Sequence, residues 1–518
     1  MNTDAFTKRY LLPFRSLAGS VPVCVAEVAD PDWIRVAHMI RTEGGRLISL
    51  WGTDRRPLAD CYVMSAVYCA AEGLLWLRLT VNEQDGYPDL SLIFPAADRM
   101  QRTVFDLLGI RAHGAEDFRP WLNHGRWLDT YFPLRRQCSG QEQFNTALQE
   151  YPFVQVEGDG VHEIAVGPIH AGIIEPGHFR FSVVGEKVLR LEQRLGYVHK
   201  GTDKLFIGRA VADGCRLASR VSGDSTVAFA WAYCMAAEAA SACEIPARAQ
   251  WLRALLLERE RIANHLGDLG ALGNDAGLAL GLAQFSRLKE DWVRLNHQLF
   301  GHRFMMDRVA PGGVAVDLDA AGIDLLTTQC NRIETEVQAL RVIYEEHAGL
   351  QDRFISAGRV PPALAAQLGL CGMAGRASGQ AWDARADQAI GPYAQLNVRM
   401  TTHRNGDVAA RVTVRFEEVF ESLCLLREIL RQLPAGPVSV PLPAISVESL
   451  GIGWVEGWRG AVLVGLETDA QGNILRCHCH DPSWQNWPVL QHAIMGNIVP
   501  DFPLINKSFN LSYSGHDL

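Results

Sequence analysis

Cys477-His478-Cys479-His480 is the densest run of metal-ligand side chains in this sequence. Alternation along a strand puts both thiols on one face and both imidazoles on the other. That splits any four-ligand site, and a lone Cys-x-Cys is a weak zinc pattern. The run therefore reads as a strand rather than a metal site. The other cysteines, at 24, 61, 69, 138, 215, 234, 243, 330, 371 and 424, contain no Cys-x-x-Cys pair. Most lie in apolar or helical surroundings, such as Cys234 in AWAYCMAAE, so buried reduced thiols are expected. No Gly-x-Gly-x-x-Gly opens a helix after a strand, so the chain is not expected to hold NAD itself.

The elements that must position these groups follow from composition and periodicity. The chain has 518 residues, 48% hydrophobic and 21% charged, which suits a core-rich globular protein. A net charge of −9 gives no support to a nucleic-acid partner. No run approaches the roughly 18 apolar residues of a membrane span, and MNTDAFTKRYLLPF lacks the features of a signal peptide. Cytoplasmic placement is expected. Residues 1–137 read as a small α/β unit: strands at Ser20 to Ala26 and Arg46 to Trp51, a β-rich stretch from Leu58 to Tyr68, a strand at Leu74 to Val81, then a helix from Pro95 to Leu108 stopped by Gly109. Residues 138–157 read as a polar linker. From 158 to 518 the pattern gives a small antiparallel sheet (Ile164 to Val166, Phe179 to Val184, Lys187 to Leu191). Long helices follow at Asp224 to Ala240, Ala247 to Gly267, Gln284 to Gly301, Leu325 to Ala348 and Ala410 to Gln432. A closing hairpin is expected from Val455 to Glu467 and Ile474 to Cys479. The Asp224 to Ala240 segment is apolar all round and so belongs inside a bundle. The fold class is α+β.

Several motifs resemble one family. GYVHKGTDKLFIGR, then Arg220-Val221, RIANHLGDLG and Pro311-Gly312-Gly313 resemble large subunits of membrane-bound, complex-I-related nickel–iron hydrogenases. So does the frame Arg376, Ser378, Gly379, Asp383, Arg385. FPAADRMQRTVFDLLGI and Phe132-Pro133-Leu134-Arg135 resemble the small soluble subunit of complex I, fused ahead as in formate hydrogenlyase large subunits. In that family Arg-Val is followed by Cys-Gly-x-Cys; here the frame reads Ser222-Gly223-Asp224-Ser225. The family's second pair, Asp-Pro-Cys-x-x-Cys, is matched to Asp481-Pro482-Ser483 through Asn486. Hydroxyl and amide groups are poor substitutes for soft thiolates toward nickel and iron. The resemblance thus implies a relative whose metal-ligand positions hold Ser222, Ser225, Ser483 and Asn486.

The resemblance also implies roles for other residues. His170 matches a loop histidine over the complex I quinone headgroup; it is a ligand donor or proton relay, or a histidine that caps local backbone. Asp203 stands for the acidic residue used in hydrogenase proton movement; it is a proton-path group or a helix-start charge. Arg220 and His265 match residues beside the terminal iron–sulfur cluster of a neighbouring subunit, where a cation and a donor raise the cluster potential. The alternative for His265 is a core histidine satisfied by a carbonyl. Arg376 joins them as retained framework, and Asp383 and Arg385 read as structural ion pairs. The family's quinone tyrosine falls at Gly223. The implied protein holds no cofactor of its own and takes a small iron–sulfur subunit and complex-I-like membrane subunits, antiporter-like ones included, as partners. It would sit peripherally on the inner face of the cytoplasmic membrane, with a quinone as a candidate ligand, and couple redox to ion translocation. A non-catalytic scaffold and a quinone-reducing subunit are the alternatives.

Overall fold

The computed structural model describes residues 3–146, 150–170, 174–388 and 390–518. Parts of the expected linker (147–149) and of the GPIHAGIIEPGHF loop (171–173) lie outside the described residues. The architecture is α+β with several small sheets. The N-terminal sheet holds β1 (Val23–Val28), β2 (Arg46–Asp54), β3 (Tyr62–Ala70) and β4 (Gly73–Val81), with a two-residue edge at Arg15–Ser16. Its spatial order is edge-β1-β4-β3-β2, with β1 parallel to β4 and the other pairs antiparallel. Nearly every residue of β2, β3 and β4 is buried, because both faces are covered. That explains why alternation understated these strands. A helix outside the expected elements, α1 (Asp30–Thr42), follows β1 and buries Trp33, Val36 and Ile40. The stretch from Leu58 is not all strand: a helical turn, Arg56–Ala59, precedes β3. The expected helix is α2 (Ala97–Leu108), ended by Gly109.

The second sheet is a meander of β5 (Val161–Val166), β6 (His178–Val184) and β7 (Lys187–Arg194). The bundle contains α3 (Thr226–Ala240), α4 (Ala247–Asp275), α5 (Ala279–Phe300), α6 (Ala320–Glu346) and α7 (Val408–Gln432). α3 is buried along almost its whole length, as its all-round apolarity requires. The closing element is a three-stranded meander rather than a hairpin: β8 (Ser449–Glu456), β9 (Ala461–Thr468) and β10 (Ile474–His480). The expected strand Val455 to Glu467 is interrupted at Gly457–Gly460, where backbone bonds close a turn.

α3 lies directly on β8. Gly451 and Gly453 face the helix two residues apart, and an added Cβ at either would collide with a backbone carbonyl, Ala236 O or Ala232 O. Only glycine permits that approach. The N-terminal sheet and the closing sheet meet across a polar seam: Arg476 Nε donates to Gly52 O at 3.0 Å, and Thr53 Oγ1 donates to Glu467 Oε1 at 2.5 Å. Among the described residues no helix is long and apolar enough to cross a membrane.

Candidate functional site

The loop before α3 and the C-terminal segment converge beside β8 and α4. Ser222 Oγ donates to Asp224 Oδ1 at 2.7 Å and lies 3.0 Å from Ser512 Oγ. Asp224 is bound by Arg459, with Nη1 to Oδ1 at 2.9 Å and Nη2 to Oδ2 at 2.5 Å. Arg459 Nη1 also reaches Ser225 Oγ at 3.4 Å, its Nε donates to Asn510 O at 2.5 Å, and its plane stacks on Trp458 at 4.0 Å. Burial works to raise the Asp224 pKa, but Arg459 outweighs it and holds the carboxyl down at about 2. A charged pair therefore stands among the hydroxyls near neutral pH.

Ser512 was not singled out from the sequence. No spacing marks it: Ser512 and Ser514 are two residues apart, where Ser222 and Ser225 are three apart. The structure brings Ser512, not Asn486, against Ser222. Ser483 is one hydrogen bond further out, its Oγ accepting from Ser512 N at 2.9 Å. Asn486 stands apart; its amide brackets the Cys371 backbone, accepting from N at 3.1 Å and donating to O at 3.2 Å. At Gly515, an added Cβ would land 2.7 Å from Asp481 Oδ2. A carboxylate fills the space a side chain at 515 would need. A side chain at Gly223, by contrast, would meet nothing within 4 Å.

A soft bimetallic centre needs thiolates. The residues gathered here offer hydroxyls, two carboxylates and a guanidinium, with the hydroxyls engaged by protein partners. They do not fit a nickel–iron pair. The structure describes no cluster of three or more His, Cys, Asp or Glu with metal-site geometry among the described residues.

The other expected site residues are dispersed around this pocket. Arg220 lies near the surface, with 35% of its side chain exposed, paired to Asp307 through Nη1 and through Nη2 at 2.7 Å. His265 is fully buried on α4, with Nε2 2.8 Å from Glu418 Oε2 and its ring edge-on to Trp458 at 6.0 Å. Burial lowers its pKa against the opposing pull of Glu418. Arg376 is a hub of buried ion pairs, donating to Glu418 at 2.6 Å and to Glu456 at 2.9 Å, with Asp383 at 3.5 Å. Asp383 in turn holds Arg385 at 2.7 Å and caps the short helix there. Asp203 is buried under Arg476 at 2.7 Å; burial works to raise its pKa, yet Arg476 and His478 hold it below the usual carboxylate range. His170 Nε2 is 2.8 Å from Gly177 O, a local backbone partner. As alternation required, Cys477 and Cys479 lie on one face of β10 while His478 and His480 lie on the other, toward the N-terminal sheet.

The comparisons with known proteins follow this architecture. Residues 26–144 match the respiratory-chain NADH dehydrogenase 30 Kd subunit family, and residues 275–453 match the 49 Kd subunit family. Formate hydrogenlyase subunit 5 of Escherichia coli (strain K12) is 32% identical over 493 residues, covering 93% of this chain and 86% of that protein. This chain belongs to that family of fused 30 kDa/49 kDa-like subunits. Hydrogenase-4 component G of the same organism, another family member, is 29% identical over 93% of this chain and 85% of its own length. A chain in the structure of the membrane-bound sulfane sulfur reductase, an archaeal respiratory membrane complex, superimposes with a TM-score of 0.66. It is 24% identical, covering 69% of this chain and 99% of its own, and shows that the fold is shared.

Proposed function

We propose that this family member is a subunit of a membrane-associated, energy-converting oxidoreductase complex and holds no nickel–iron site of its own. It clamps a small iron–sulfur subunit, docks on complex-I-like membrane subunits including antiporter-like ones, and couples redox change to ion translocation. The observation that carries the reading is the pocket itself. Ser222 and Ser512 touch through hydroxyls, Arg459 and Asp224 pair between the loops, and Asp481 occupies the side-chain space at Gly515. A cationic guanidinium and hard oxygen donors replace the thiolate set that the hydrogenase reaction requires.

Arg220, paired with Asp307 near the surface, and the buried His265 supply the cation and imidazole on the side of a partner's iron–sulfur cluster in this reading. Elemental analysis of the purified complex tests it: iron without stoichiometric nickel is expected, and one nickel per chain overturns it. The His170 bond to Gly177 O favours a second reading, a coupling scaffold without ligand chemistry at that loop. Dye or quinone reduction by the complex that is abolished by Arg220→Ala or His170→Ala rules out the scaffold.

A further inference from the structure

The two histidines of β10 lie outside the serine pocket, bonded to Ser49 and Gln485. They line a cavity of about 20 Å³ at the seam between the N-terminal and closing sheets, together with His199, Asp203, Trp51 and Trp484. That volume holds about one water molecule. Four buried atoms on these residues lack a hydrogen-bond partner among the described residues: Asp203 Oδ1, His480 Nδ1, Trp51 Nε1 and Trp484 Nε1.

Their chemistry is complementary. Gln485 Nε2 donates to Ile48 O at 2.5 Å, which fixes that amide with its oxygen toward His480 Nε2 at 3.0 Å. His480 Nε2 therefore carries the hydrogen and Nδ1 a bare lone pair. Asp203 Oδ2 is held by Arg476 at 2.7 Å, leaving Oδ1 as an ionised acceptor. The two indole nitrogens only donate. The two acceptors and two donors on these lining residues are complementary to the two donors and two acceptors of water itself.

We propose that this cavity holds a water molecule and that His199, the water and His480, facing Asp203, form a proton-loading unit inside the chain. His199 is half-buried and gives the route its solvent end; its Nδ1 donates to Asp517 O at 2.8 Å. Loading moves one proton from the water to His480 Nδ1 while the water regains one from the His199 side; unloading reverses the same transfers. No other bond forms or breaks. The Asp203 carboxylate stabilises the transient imidazolium. The charged and titratable groups facing it are Asp203, Arg476, His478, His199, His516 and Asp517.

In the resting chain burial and the neighbouring His478 hold His480 down at about 3, so it is neutral. Loading needs negative charge to arrive nearby. His480 precedes Asp481, and His516 follows Gly515, so the unit abuts the serine pocket. One-electron reduction of the partner subunit's iron–sulfur cluster supplies the charge; this last step alone rests on the proposed function.

The test uses the full chain. A density map at about 2 Å resolution should show ordered water within hydrogen-bond reach of His480 Nδ1 and Asp203 Oδ1; a dry cavity overturns the proposal. Deuterium exchange at imidazole C2, read by mass spectrometry, checks solvent connection. The peptide with His478 and His480 should exchange, and the one with His265, equally buried but away from the cavity, should not. Val104→Ile, which fills the cavity without altering a polar group, should slow the first exchange by roughly tenfold or more; Asp203→Asn should do the same. Equal exchange of the two peptides, or a rate unmoved by Val104→Ile, overturns the relay whatever the complex is found to reduce.

Discussion

Arg376→Met isolates the buried charge network around α7 and β8. Arg376 is 1% exposed and reaches Glu418, Glu456 and Asp383. The three carboxylates fare differently without it. Glu418 keeps His265 at 2.8 Å, and Asp383 keeps Arg385 at 2.7 Å. Glu456 has no other ion pair among the described residues and keeps only the Ala384 N–H at 3.3 Å. Its pKa is already raised by burial and by the charge on Asp383. Removing one partner of such a buried pair costs about 3–5 kcal/mol. The orphaned acid should be Glu456, so Arg376→Met with Glu456→Gln should recover roughly 1–3 kcal/mol relative to additivity. Urea unfolding followed by tryptophan fluorescence is the assay; Trp382 and Trp454 stack at 5.0 Å beside the network. Acid should also narrow the gap between Arg376→Met and wild type, because protonation removes the stranded charge. A single-variant cost below about 1 kcal/mol, or no recovery in the double variant, refutes the hub assignment.

Three other outcomes follow from the same structure. His480, held at about 3 against an ordinary 6.5, has a depressed folded-state pKa, so its stabilising contribution is complete above 6.5 and is lost as pH falls through that window toward 3. His480→Gln should flatten the acid limb of a stability–pH curve by up to about 1.4 kcal/mol per pH unit, and an unchanged slope would count against its burial as a neutral ring. Gly453→Ala should destabilise by about 1–3 kcal/mol or more, since the methyl meets backbone and not a movable side chain; thermal unfolding within error of wild type would contradict the direct helix–strand contact. Gly515→Ala should cost about 1–3 kcal/mol, and Asp481→Gly in the same chain, which removes the Cβ at 2.9 Å along with the carboxylate, should relieve the crowding, which equilibrium unfolding of the single and double variants checks.

The long helices were legible because their apolar spacing and length leave one period that fits. α3 is the clearest case: an uncharged run with alanine and aromatic residues had to be interior. Strand boundaries were less legible where both faces are covered. β2 and β3 carry no alternation to read, and α1 was absent from the sequence reading because its Ala29 start offers no side-chain cap. β8 was passed over because Gly451 and Gly453 weaken a strand signal while serving the contact that requires them. At the pocket, Ser222 and Ser225 could be placed from flanking motifs. Ser512 could not, because only the fold shows that the C-terminal turn comes back to the α3 loop. Asn486 follows only from the local wording Asp-Pro-Ser, and in the fold its amide serves the Cys371 backbone instead.

The glycine pair under α3 also has a mechanical meaning. With no side chains between Ala232 or Ala236 and β8, there is no soft layer to absorb a shift. Helix and sheet behave as one stiff lever. A displacement begun at Asp224, just ahead of α3, therefore has a second route to β10, the strand carrying His478 and His480: through α3 onto β8 and along the β8–β9–β10 ladders.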